Sequence, residues 1–175
     1  MAAARWLSAS LALLKALAAA AQWAATAGRP SWILAADTVV CAPDGALLGQ
    51  PADRAGAAAM LVRLAGRPHR VVSAAVLLQA QQGRQRRWIE TSTVAVRALG
   101  PAELRRYLDS GAWRGKAGGY GVQDEPPIAQ VQAGSRSNAM GLPLERLLPV
   151  LRELGFVDPL PSGAGAAGSG APVSA

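Results

Sequence analysis

One cysteine, Cys41, in 175 residues excludes an intrachain disulfide and any cysteine-rich zinc site. One histidine, His69, leaves little from which to build a histidine-rich metal centre or a Ser-His-Asp triad. It sits in Gly66-Arg67-Pro68-His69, just before a strand signal, where a structural hydrogen bond is the expected role. Aromatic residues make up 5% of the chain, so alanine, leucine and valine must fill most of the core. No Walker or Rossmann glycine pattern occurs, because the glycines from Gly115 to Gly121 lack both the spacing and a preceding strand. The formal charge is +7, yet long basic runs are missing. The densest group, Arg84-Gln85-Arg86-Arg87, reads as a solvated hairpin tip, and no nucleic-acid partner is expected. The apolar run near the start is interrupted by Lys15 and lacks a cleavage site, so it reads neither as a signal peptide nor as a membrane span. A lone strand cysteine suits a small buried hydrophobe and a cytoplasmic location.

Apolar residues make up 51% of the chain, enough for one domain with a real core; residues 1–157 read as that domain. The Gly-Ala-Ser-Pro composition of residues 158–175 reads as a disordered tail. Residues 5–27 form a helix pattern with Trp6, Leu7, Leu11, Leu14 and Leu17 on its apolar face. Ala42-Pro43-Asp44-Gly45 has turn chemistry, and Ala46–Leu48 is a short return strand. Asp53 is placed to cap a helix running to Leu64. Val71–Leu78 and Trp88–Val96 read as a β-hairpin, and Pro101 opens a helix ending near Gly111. A glycine-rich loop follows, then a strand over Ile128–Val131, a loop over Gly134–Met140 and a helix over Leu142–Leu154.

The stretch with the most chemical content is Ser31–Cys41, an apolar strand signal interrupted by Asp37 and Thr38. A carboxylate within such a strand needs a partner: a metal ion, an activated water or a lysine from elsewhere. The alternative is a frayed strand end, with Asp37 capping the next turn. Gln50 precedes a helix, while Lys116 and Gln123 lie in the glycine-rich loop. Lysine is a point charge suited to phosphate oxygens, and glutamine offers a donor and an acceptor suited to a base edge. Each also has a plainer reading, as a solvated charge or a local hydrogen bond.

Read together, Asp37-Thr38-Val39-Val40, Leu48-Gly49-Gln50-Pro51, Gly66-Arg67-Pro68-His69-Arg70-Val71, Lys116-Ala117-Gly118-Gly119-Tyr120-Gly121-Val122-Gln123 and Gly141-Leu142-Pro143-Leu144 resemble the Maf family of nucleoside triphosphate pyrophosphatases. The resemblance covers roughly residues 12 to 155. It implies an α/β fold whose mixed, twisted sheet is flanked by helices. It implies hydrolysis of a nucleoside triphosphate between its α and β phosphates. Asp37 would be the proton acceptor that activates water and would organise a divalent cation, magnesium or manganese. Thr38 and Gln123 would bear on substrate choice, Lys116 on the phosphates, and the loop sequence resembles the branch acting on dTTP and UTP. A homodimer is left open. Two departures bear on activity. The family's opening Ser-X-Ser-Pro-Arg-Arg segment is not found ahead of about residue 12, so the phosphate-binding segment is expected to be missing. The lysine of the family's Gly-Lys-Pro is Gln50 here. Weakened turnover is therefore expected, with a non-catalytic nucleotide- or partner-binding protein as the alternative.

Overall fold

The computed structural model describes residues 1–26 and 32–157. The tail expected over residues 158–175 lies outside them. The elements are α1 (Ala2–Thr26), β1 (Trp32–Cys41), β2 (Leu47–Leu48), α2 (Arg54–Leu64), β3 (Pro68–Gln79), β4 (Arg84–Val96), α3 (Pro101–Ser110), a single 3-10 turn at Ala117–Gly119, β5 (Ala129–Ala133), α4 (Arg136–Ala139) and α5 (Leu144–Glu153). Five strands form one sheet in the order β2-β1-β3-β4-β5. The α/β class with helices flanking a sheet is as the sequence indicates. The named strands pair antiparallel throughout, and the parallel component is an isolated bridge between Ala65 and Val96.

Strand alternation divides the apolar residues between two faces. Ile33, Val39, Val72, Ala74, Val76 and Leu78 face α1. Val40, Val71, Val94 and Val96 face the opposite way, into a core with Leu61, Leu64, Leu108, Trp113 and Tyr120. Helix α2 begins where Asp53 accepts the Gly56 amide at 2.7 Å, as its sequence signal indicates.

Helix α1 forms as expected but turns the other way. Its fully buried positions are Ala4, Ser8, Ala12 and Ala16, a four-residue repeat of small side chains. Trp6 is 72% exposed and Leu14 60%. A small-residue stripe lets the helix backbone approach the sheet closely, while Leu7 and Leu13 pack partly buried against the same apolar clusters. A second correction concerns membranes: by length and composition Ala2–Ala25 is long and apolar enough to cross one. In this fold that helix instead packs against β1 and β3.

The hairpin also differs in detail. Residues Arg84 to Arg87 are not its tip; they continue β4, paired with Gln79 to Val76 of β3. Arg86 makes a two-pronged contact to Glu153 of α5 at 2.7 and 2.9 Å, so the arginine-rich segment ties a helix to the strand.

Candidate active site

Strand β1 has β2 beside it only at Val40 and Cys41, so among the described residues its first part, up to Val39, has β3 as its sole neighbour. Asp37 lies on this open edge, with its side chain on the α1 face opposite Ala74. The carboxylate is 13% exposed, which demands compensation. Lys15 of α1 supplies it: Nζ donates to Asp37 Oδ1 at 2.7 Å and to the Ala36 carbonyl at 3.3 Å. Lys15 is thus the lysine partner that the sequence left open for Asp37.

Thr38 points to the other face, because successive residues of a strand alternate. Its hydroxyl lies 2.8 Å from Ser73 Oγ, which in turn donates to the Asn138 carbonyl at 2.8 Å. Asn138, 1% exposed at the end of α4, donates its amide to Ser92 Oγ at 2.9 Å. This chain of polar groups fixes the Met140-Gly141 corner beside Thr38. A Cβ on Gly141 would sit 3.4 Å from the Thr38 hydroxyl.

Lys116, Tyr120 and Gln123 come from the glycine-rich loop. The Gly118 amide donates to the Gly49 carbonyl at 2.9 Å, which ties this loop to the turn bearing Gln50. Gly118 has φ +73°, and a Cβ there would crowd Leu64, Val40 and Tyr120 at 3.2–3.3 Å. Lys116 does not stand alone, as its ammonium pairs with Asp124. The other Asp124 oxygen accepts the Gly121 amide at 2.8 Å and the Tyr107 hydroxyl at 2.7 Å. Burial, reinforced by the hydrogen bond to Asp124, pushes the Tyr107 phenol well above its ordinary value.

Tyr120 is held by His69, whose Nε2 lies 2.5 Å from the phenolic oxygen. The other ring nitrogen lies 3.4 Å from the Arg67 carbonyl, which can only accept. Nδ1 therefore carries the proton, and Nε2 accepts from the Tyr120 hydroxyl. Burial lowers the imidazole below its ordinary 6.5, outweighing the hydrogen bond to Arg67. As pH falls the unfolded chain takes up this proton first, so stability is lost from about pH 6.5 downward toward the lower folded value. Denaturant unfolding at pH 7.5, 6.5 and 5.5 is expected to show this decline, and His69→Gln to flatten it. An unchanged slope in the variant would remove His69 as its source.

These elements enclose an open cavity of about 550 Å³. Asp37, Thr38, Gln50, Lys116 and Gln123 all line it, so every sequence-nominated residue reaches one place. The lining suits an anion: Lys15 and Lys116 bring ammonium groups, each paired with a carboxylate, and Asp37 is the one lining carboxylate among the described residues. Lys15 and Asp124 were not singled out from sequence. Lys15 carried a signal, a charge inside an apolar helix, whereas Asp124 follows Gln123 with nothing to mark it. Among the described residues no three His, Cys, Asp or Glu side chains converge as a metal site. One carboxylate suits a magnesium-like cation that takes its other ligands from phosphate and water, so the donor set fits a metal arriving with a polyphosphate.

A family model for Maf-like proteins matches residues 2–154. The chain belongs to the Maf family. It is 47% identical over 128 residues to a dTTP/UTP pyrophosphatase of Bordetella parapertussis, covering 73% of this chain and 60% of that protein. A protein of the same name from Salinibacter ruber is 44% identical over 129 residues, covering 72% and 63%. Another, from Dehalococcoides mccartyi, is 40% identical over 126 residues, covering 71% and 55%. The chain thus spans about three fifths of the length of these Maf relatives.

Proposed function

We propose that this Maf-family chain hydrolyses dTTP and UTP to the monophosphate and pyrophosphate. The observation that carries the reading is the convergence of Asp37, Lys116 and Gln123 on one cavity, and the dTTP/UTP pyrophosphatase names of its relatives support the substrate class. Lys116 holds phosphate oxygens, and Gln123, exposed on the cavity wall, reads the base edge. Thr38 shapes the base end of the cavity through its bond to Ser73. Gln50 stands at the phosphate end as a neutral donor, a weaker phosphate ligand than a cation. Asp37 takes a proton from water as the water oxygen attacks the α-phosphorus. The bond from that phosphorus to the α–β bridging oxygen breaks, and pyrophosphate leaves with the electron pair. Asp37 would hold a divalent cation, magnesium or manganese, brought in by the triphosphate; that cation supplies charge neutralisation at the phosphates. A nucleotide substrate supports a cytoplasmic location for the activity.

The test is a ranking of dTTP, UTP, CTP and GTP by kcat/KM. The wild type is expected to favour dTTP and UTP. In Gln123→Ala the order should change, because a base edge left without its partner is penalised selectively, by 10-fold or more. A uniform fall with the order intact would make Gln123 structural. No turnover, with binding retained, would favour a nucleotide-binding role without hydrolysis.

A further inference from the structure

We propose that Asp124 is a positioning residue: an internal anion that holds Lys116 and competes for it with a bound polyphosphate. The inference rests on the reading of Lys116 as a phosphate-binding lysine. The Asp124 carboxylate is 7% exposed, and its two oxygens do different work. Oδ2 organises the loop by accepting the Gly121 amide and the Tyr107 hydroxyl. The same phenolic oxygen lies 3.2 Å from the Gly119 carbonyl, so Asp124 Oδ2, by taking its proton, helps hold α3 beside the glycine turn. Oδ1 contacts the Lys116 ammonium. Lys116 is 26% exposed and lines the cavity, so its ammonium is shared between a buried carboxylate and the solvent-facing wall. A polyphosphate on that wall brings several negative charges toward Asp124, and the ammonium is their common partner. Asp124 thereby lowers the intrinsic affinity of the clamp and returns Lys116 to one position when phosphate leaves.

This division makes Asp124→Asn a selective test. With its carbonyl in the place of Oδ2, the amide keeps both bonds that shape the loop. Its NH2 group, in the place of Oδ1, cannot accept from an ammonium. Calorimetric titration with inorganic tripolyphosphate, without metal and at several salt concentrations, is expected to show 3- to 30-fold tighter binding in Asp124→Asn. Its salt dependence should be steeper, because Lys116 is no longer neutralised internally. In the Lys116→Ala background the salt dependence of binding should be the same with and without Asp124→Asn, because the ammonium that the two anions share is gone. A measurement on the unaltered protein stands beside it: the carboxyl carbon resonance of Asp124 should move on saturation with tripolyphosphate. Equal or weaker binding by Asp124→Asn, no tripolyphosphate binding at all, or an unmoved Asp124 resonance would each overturn the proposal. UTP turnover is read separately. Turnover without the asparagine effect removes this inference alone, and the asparagine effect without turnover removes the proposed hydrolysis while keeping the clamp.

Discussion

Asp37→Asn is expected to lower pyrophosphate release from UTP by about 100- to 10,000-fold, the range for loss of a general base. Nucleotide affinity should hold or improve, because the substitution removes a negative charge from a cavity that receives a polyanion. That split between rate and binding distinguishes a base from a metal holder. If Asp37 mainly anchored a cation, affinity would fall with rate and recover at high magnesium. The fold should survive, since asparagine retains an acceptor for Lys15, whose contact lies at 2.7 Å on a half-exposed side chain. Stopped assays of UTP turnover beside calorimetric binding would read both quantities. Equal rates in the two proteins would remove Asp37 from the mechanism.

Lys15→Met is the second large effect expected. Lys15 fixes the carboxylate through one charge-assisted contact and anchors itself to the Ala36 carbonyl. Such a bond contributes roughly 1.5–3 kcal/mol, equivalent to about 10- to 150-fold in rate if it is fully felt at the reacting geometry. Stability should change far less, because Lys15 is 57% exposed and solvent screens the pair. A low-rate, normally stable Lys15→Met protein is therefore expected, with Lys15→Arg recovering part of the rate. Loss of stability and rate together would mark the ion pair as structural only.

The contrast between these two residues shows how far the sequence reaches. Asp37 was legible because a carboxylate in an apolar strand is a local anomaly with an energetic cost. Lys116 and Gln123 were legible as polar groups in a glycine-rich loop. Lys15 is marked in the sequence as a charge inside an apolar helix, but its partner is legible only once the rotation of α1 is known. Of the expected apolar face only Leu7 packs against the sheet. The sheet selected the four-residue stripe of Ala4, Ser8, Ala12 and Ala16 over Trp6 and Leu14, because close approach favours small side chains. The sequence reading of α1 therefore missed twice, once as to its buried face and once as to its being long and apolar enough to cross a membrane. Asp124 could not be read at all. Its partners lie on both sides of the loop's own fold-back, and that geometry depends on the glycines at positive φ. The same holds for the polar chain from Thr38 through Ser73 to Asn138, whose members are ordinary strand and loop residues until register brings them together.

The central claim is the bond that is broken. Phosphorus NMR of UTP incubated with the wild-type chain and magnesium tests it most directly. The account predicts UMP and pyrophosphate appearing in equal amounts, with no UDP. Formation of UDP and orthophosphate, or UTP left intact while bound, would contradict it.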